Sequence, residues 1–307
     1  MADTRAYVVK YLDYCRDQKC LDAKTLKAYR IDLSQFADST SGMDVGDITS
    51  DVLESYITKL HGDFRPKTVK RKVASLKAFF HYLEYKDIIS TNPFGRIRVK
   101  FRVPVTLPKT IPMHTVELFL KTIYGQVDGA RTQFQKDNAL RDAAMMELLF
   151  ATGMRISELC GLSVDDMDME SGVVLIHGKG SKERLIQVGS NAVMDTLERY
   201  VSLYGERMAG AGRFFVNRYG EPMSDQSVRR MINHYAAMAG LSQHITPHMF
   251  RHTFATGLLD NGVDIRYIQA MLGHSSINTT QIYTHVATDK QRRILEAKHP
   301  RNNLNVR

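Results

Sequence analysis

Six residues in the C-terminal half of the chain carry side chains that could bind a phosphate or react with it. In chain order they are Arg155, Lys179, His248, Arg251, His274 and Tyr283. Arginines make bidentate contacts to the non-bridging oxygens of a phosphodiester, and histidine and lysine transfer protons near neutral pH. A tyrosine phenol is a nucleophile once cations or a base activate it. The set therefore indicates breakage and rejoining of a nucleic-acid backbone through a covalent phosphotyrosine, with no metal and no other cofactor.

Arg155 is predicted to lie at the junction of two helices. Residues 139–152 have helical periodicity and Gly153 is a favourable C-cap, so Arg155 would open the next short helix. Taken alone, this arginine is better explained by an ion pair with Glu158, three residues on, that pins the two helices together.

A β-hairpin is predicted around Lys179. The β-prone runs 173–177 (VVLIH) and 184–188 (RLIQV) flank a Gly-Lys-Gly-Ser-Lys turn. Flanking glycines let the backbone approach a ligand closely, although in isolation an ordinary exposed turn lysine is the commoner case. The glycine spacing is not that of a phosphate-binding P-loop.

Another cluster opens a predicted helix at Thr246 and Pro247, which are a favourable N-cap and first helical residue. His248, Arg251 and His252 follow at i, i+3 and i+4, so they share one face. A histidine and an arginine at the positive end of a helix suit a phosphate. The two histidines also suit a metal, but the arginine between them and the lack of an obvious carboxylate argue against a metal site.

His274 and Tyr283 are weak indicators individually. A helix is predicted over residues 264–272, His274 follows its end, and Tyr283 lies two turns into a further helix. A histidine at a helix end and a tyrosine within a helix are usually structural. Only the six residues together make the chemical hypothesis specific.

The segments around these residues resemble the signature boxes of the tyrosine site-specific recombinases. In chain order they read ATGMRISEL, HGKGSKERL, TPHMFRHTFAT, LGHSS and TTQIYTHV. The resemblance is greatest to the Xer-type dimer-resolution enzymes and to related phage and transposon integrases, and it extends over nearly the whole chain. It implies an enzyme that acts on double-stranded DNA with a specific core site, as a homo- or hetero-tetramer on that DNA.

The resemblance also implies how the phosphate is held. Arg155 and Arg251 would bind the scissile phosphate, and His274 would support it. Glu158 would orient Arg155. Lys179 would protonate the departing 5′-oxygen.

For the nucleophile, the resemblance implies that Tyr283 forms a 3′-phosphotyrosyl bond with His248 as its acid/base partner. Two alternatives share part of this evidence. A type IB topoisomerase or a hairpin-forming resolvase uses similar chemistry, but the short helical N-terminal region argues against the topoisomerase. A non-catalytic DNA-binding accessory protein could retain the fold, but the complete residue set argues against it.

The composition favours a polyanionic partner. The 307 residues carry a formal net charge of +9, and 43% of them are hydrophobic, enough for a substantial core. The three cysteines lack metal-site spacing, and no apolar run has the length of a signal peptide or a membrane span. These features predict a soluble, cytoplasmic, nucleoid-associated protein.

Positive charge is concentrated between residues 65 and 109, where twelve lysines and arginines accompany two acids. Residues 66–85 have helical periodicity with their apolar residues on one stripe. Charged helix residues usually form a solvated face, but the scarcity of acids favours phosphate binding here. The predicted DNA-binding residues are Arg65, Lys67, Lys70, Arg71, Lys72, Lys77, Arg96, Arg98 and Lys100.

The predicted fold is mainly α-helical, with a small β-hairpin in the catalytic domain, and its two domains are expected to close on DNA as a clamp. Helices are predicted at residues 3–17, 22–37, 50–61 and 66–85. The predicted divisions are a helical, SAM-like core-binding domain (1–98), a basic linker (99–112), a catalytic domain (113–290) and a tail that could dock on a neighbouring subunit (291–307).

Overall fold

The computed structural model describes residues 3–97, 109–178, 182–273 and 293–304. The chain divides into two compact units, Met1–Thr106 and Leu107–Arg307. The described residues are mostly helical, with a three-stranded antiparallel sheet in the second unit, which confirms the predicted mainly α fold class. None of the described helices is both long and apolar enough to cross a membrane. The clamp on DNA stays a prediction.

The first unit contains α1 (Thr4–Asp17), α2 (Ala23–Ser39), α3 (Ser50–Asp63) and α4 (Pro66–Tyr85). The side chains of Asp3, Asp22 and Thr49 each accept a hydrogen bond from the first turn of the helix that follows, and Pro66 opens α4. The predicted helix ends differ from the observed ends by at most two residues. The apolar faces of the four helices meet in an aromatic-rich core.

The second unit contains α5 (Met113–Asp128), α6 (Gln133–Thr152), α7 (Ile156–Gly161), α8 (Asn191–Ala211), α9 (Asp225–Met238), α10 (Pro247–Asp260), α11 (Ile265–Leu272) and α12 (residues 293–298). Its central helix is α6, which packs against α5, α8 and α10 and is buried on all sides over its second half. This helix begins six residues before the predicted residue 139. Residues 133–138 are largely exposed, so no apolar periodicity marks the first turns.

The sheet contains β1 (Met167–Asp168), β2 (Val173–His177) and β3 (Glu183–Gln187) in that order. The predicted hairpin is confirmed, with β3 one residue earlier than expected, and β1 is a short additional strand. The register between β2 and β3 pairs Val174 with Ile186 and Ile176 with Arg184. These residues therefore share the face that packs on the core.

The described part of the C-terminal tail packs on its own unit. Leu295 of α12 is fully buried, and Arg301, in the 3-10 turn Pro300–Asn303, donates to both carboxylate oxygens of Glu147 at 2.6 and 2.8 Å. Docking of residues 291–307 on a neighbouring subunit stays a prediction.

Candidate active site

The end of α6 places Arg155. Gly153 adopts a left-handed conformation (φ 59°) as the C-cap, and the space where a Cβ would stand is occupied by the ring of Phe254, 2.5 Å away. Glycine is therefore required both by conformation and by the close approach of α10. Two residues later, Arg155 is the N-cap of α7.

Arg155 and Glu158 form the ion pair that the sequence suggests. Arg155 Nη1 donates to Glu158 Oε1 at 2.7 Å, and the Arg155 backbone N–H donates to Oε2 at 2.8 Å. Burial alone would raise the pKa of the Glu158 carboxyl. Hydrogen bonds from Arg184 and from the Arg155 backbone outweigh it and lower the pKa below its ordinary value, so Glu158 is ionised at neutral pH.

Arg184 of β3 is a second arginine partner of Glu158, and it was not among the residues predicted from the sequence. Its Nη2 donates to Glu158 Oε2 at 2.7 Å, and its Nε donates to the carbonyl of Met271 at 2.8 Å. The hairpin, α7 and the end of α11 are thus joined by one side chain. The alternation of the two β-prone runs was a usable signal, because it puts Arg184 on the same face as buried Ile176, where an arginine needs a partner.

Arg251 of α10 is buried, with 5% of its surface exposed. Its Nη1 donates to the carbonyl of Gly153 at 2.8 Å and its Nη2 to the carbonyl of Leu272 at 2.6 Å. Within the described ranges, no carboxylate forms an ion pair with it. Burial and then the charge of Arg155 lower the pKa of Arg251 to about 10.

His248 lies on the first turn of α10, after the N-cap Thr246, and is exposed. Partial burial of the ring and then the positive charge of Arg229 lower its pKa, and His252, Arg251 and Arg155 act in the same direction. The imidazole is therefore neutral at pH 7 and can accept a proton. Arg229, on α9, is a second contributor that the sequence reasoning missed. Among the described residues, no group of three or more His, Cys, Asp or Glu side chains is placed to hold a metal ion.

Three predicted site residues, Lys179, His274 and Tyr283, lie outside the described residues. Gly178 and Gly273, which directly precede Lys179 and His274, are described, and both lie close to the side chain of Arg184. A Cβ built on Gly178 would stand 3.8 Å from Arg184 Nη1, and one built on Gly273 would stand 3.2 Å from the same atom. The structure thus brings Arg155, Glu158, Arg184 and Arg251 together and leads the chain to this cluster just before Lys179 and His274.

In the first unit, six of the predicted DNA-binding residues are exposed. They are Arg65, Lys67, Lys70, Arg71, Lys77 and Arg96. Arg98 and Lys100 lie outside the described residues. Arg71 also pairs with Asp32, a buried carboxylate of α2.

Lys72 requires a correction to the predicted set. Its side chain is 3% exposed, and its Nζ lies 3.1 Å from Asp32 Oδ1 and also hydrogen-bonds to Gln35. The charge is therefore neutralised inside the unit, where a phosphate cannot reach it. The sequence held a signal, because Lys72 falls three residues after Val69 and four before Leu76, on the apolar stripe of α4.

Two family models match the chain. The model of the Phage integrase family matches residues 122–290, and that of the Phage integrase, N-terminal SAM-like domain matches residues 8–86. A tyrosine recombinase of Agathobacter rectalis is 57% identical over 304 residues, which covers 99% of each chain. Tyrosine recombinase XerC of Thermodesulfovibrio yellowstonii is 34% identical over 308 residues, which covers 98% of each chain.

Among solved structures, XerH site-specific recombinase bound to its difH substrate in a pre-cleavage complex has a similar fold. The TM-score is 0.68 at 22% sequence identity, over 91% of this chain and 82% of that one.

Proposed function

The chain belongs to the phage integrase family and is a tyrosine recombinase, and we propose from that premise how it acts on DNA. The phenol oxygen of Tyr283 attacks the scissile phosphorus, and the bond from phosphorus to the 5′-oxygen breaks. The protein is left joined to the 3′-phosphate end. Attack by the 5′-hydroxyl of another strand reverses the step and exchanges the strands. Because the phosphodiester is conserved in the protein–DNA bond, the cycle consumes no ATP.

The charge balance around Glu158 is the observation that carries this proposal. The positive charges of Arg155 and Arg184 lower the pKa of Arg251, and Glu158 is the carboxylate with which Arg155 and Arg184 both form ion pairs. The cluster is partly or wholly buried, where uncompensated cations are costly. A bound phosphodiester supplies the missing negative charge, and Arg155 and Arg251 offer it guanidinium donors in bidentate geometry.

The proton transfers follow from the same surroundings. A neutral His248 accepts the phenol proton, since its lowered pKa keeps the imidazole uncharged at pH 7. Lys179 donates a proton to the 5′-oxygen as it leaves, and His274 supports the phosphate. In the reverse step the two groups exchange these roles.

The first unit contributes the contacts that hold the duplex. Exposed basic residues on and beside α4, namely Arg65, Lys67, Lys70, Arg71, Lys77 and Arg96, neutralise backbone phosphates, and Arg98 and Lys100 continue the stretch. We place the reaction in a homo- or hetero-tetramer on double-stranded DNA with a specific core site, and the enzyme on the nucleoid in the cytoplasm.

Covalent trapping tests this function. Purified protein, with EDTA present, is mixed with nicked duplex fragments of the source genome, beside the Tyr283→Phe variant as the matched control. We expect SDS-resistant adducts with the unchanged protein alone, enriched in one sequence, while both proteins bind DNA equally. An adduct that persists in Tyr283→Phe would overturn the assignment of the nucleophile. Relaxation of supercoiled DNA without sequence preference would instead indicate a topoisomerase.

A further inference from the structure

An imidazole lies between two carboxylates at the root of the β2–β3 hairpin. His177 Nε2 is 2.8 Å from Asp166 Oδ1, and His177 Nδ1 is 3.0 Å from Glu183 Oε1. His177 and Glu183 are the last paired residues of the two strands. Directly beyond them, the Gly178 backbone N–H donates to the carbonyl of Lys182 at 2.6 Å, which closes the root of the turn.

Asp166 is the fixed end of this arrangement. It closes the 3-10 turn Val164–Asp166, its Oδ2 accepts the backbone N–H of Ser163 at 2.8 Å, and its side chain is 8% exposed. Glu183, in contrast, is exposed. The imidazole therefore ties the exposed end of the hairpin to a carboxylate that is held in the body of the unit.

The surroundings of His177 favour its charged form. Each ring nitrogen faces a carboxylate oxygen, and an ionised carboxylate can only accept, so both nitrogens carry a proton. Within the described part of the chain, Asp166 and Glu183 are the titratable groups that act on the ring. The hydrogen bond to Asp166 raises the pKa of His177 above its ordinary value, against the opposing effect of burial.

We propose that His177 is a positioning residue, which braces the root of the hairpin and thereby sets where the chain departs toward Lys179, two residues on. This inference rests on the proposed function, in which Lys179 protonates the departing 5′-oxygen. The brace is complete while His177 is protonated. Since the pKa is raised in the folded protein, the brace is retained at pH values near the ordinary histidine pKa and weakens as the pH rises through the raised one.

A first experiment tests whether His177 stabilises the root of the hairpin, and it requires no DNA cleavage. The protection factor of the Gly178 amide against hydrogen exchange is measured by NMR in the unchanged protein, in His177→Ala and in His114→Ala, an exposed histidine of the same unit. At pH 6.5 we expect about a tenfold loss of protection in His177→Ala and no change in His114→Ala. Raising the pH to 8.5 should bring the unchanged protein toward His177→Ala. Equal protection in all three proteins would overturn the brace.

A second experiment tests the link to Lys179, with a duplex recovered by trapping that carries either the normal 5′-oxygen or a bridging 5′-sulfur at the cleaved bond. A sulfur leaving group needs no proton. We therefore expect His177→Ala to cleave the oxygen substrate about tenfold more slowly than the unchanged protein and the sulfur substrate at nearly the same rate. His177→Gln, which keeps a donor for Asp166 but no charge, should be intermediate, and its rate on the oxygen substrate should not fall as the pH rises from 6.5 to 8.5.

The outcomes separate the two proposals. Equal loss of rate on both substrates would show that His177 does not act through the lysine, and would overturn the inference. If the unchanged protein forms no adduct in the trapping experiment, the proposed function fails. The exchange measurement then still decides whether His177 braces the hairpin.

Discussion

In the proposed mechanism, Arg251 combines two tasks in one guanidinium group. Two of its nitrogens hold the carbonyls of Gly153 and Leu272, which fixes the ends of α6 and α11 to α10. No hydrogen bond joins its remaining N–H groups to the described residues, and in the proposed mechanism they donate to the phosphate. A lysine keeps the charge, but its three N–H donors radiate from one nitrogen and cannot reproduce the planar fork with which the guanidinium reaches both carbonyls and a ligand.

We therefore expect Arg251→Lys to reduce the rate of adduct formation by about 10²- to 10³-fold. DNA binding, measured by gel mobility shift, should fall far less, because most of the proposed phosphate contacts lie elsewhere. Thermal unfolding identifies any loss of the folded state. A rate within about twofold of the unchanged protein, on a folded variant, would contradict the phosphate-binding role.

The pH dependence of cleavage tests the proposed role of His248 as the base. A base is active when deprotonated, and the pKa of His248 is lowered. On the acid side of the profile, the rate should therefore hold down to the ordinary histidine pKa and decline only below it. Arg229→Gln removes one of the charges that lower this pKa, so the declining limb should move to higher pH. The neighbouring Arg230→Gln is the matched control and should leave the profile in place. Identical profiles for both variants would argue against His248 as the base.

At the scale of elements, Arg184 ties the hairpin to α7 and α11. It is largely buried, so its removal takes the side-chain donor from the carbonyl of Met271 and leaves Glu158 paired with Arg155 alone among the described residues. We expect Arg184→Gln to lower the free energy of unfolding by about 3 kcal/mol in urea denaturation. Arg199→Gln, at an exposed arginine of α8, should change it by less than about 0.5 kcal/mol. Equal stability of the two variants would contradict the role of Arg184.

Local signals in the sequence predicted most helices and strands well. Side chains whose partners lie far away in the sequence could not be predicted in the same way. Thr49, Pro66 and Gly153 fix helix ends through their own backbone chemistry, so those ends could be read directly. The pair of Arg155 and Glu158 spans three residues and was foreseen for the same reason. Arg184 depends on a carboxylate 26 residues earlier, and Lys72 on one 40 residues earlier, and periodicity does not specify such pairings.

For the whole molecule, DNA affinity depends on which cations reach the backbone. Lys70 is exposed and Lys72 is paired with Asp32 inside the first unit, although the two lie on one helix. We expect Lys70→Gln to reduce the slope of log K against log salt concentration by about 1, the value for one lost phosphate contact. Lys72→Met should leave the slope unchanged and lower the unfolding temperature. The reverse pattern would contradict the assignment of the binding face.

The central claim is that Tyr283 forms the bond to DNA, and mass spectrometry of the trapped adduct tests it most directly. After nuclease and trypsin digestion, the peptide of residues 267–290 contains two tyrosines, Tyr267 and Tyr283. Fragmentation of this peptide locates the modified residue. We predict a nucleotide joined through its 3′-phosphate to Tyr283. A linkage at any other residue, or through a 5′-phosphate, would contradict the account.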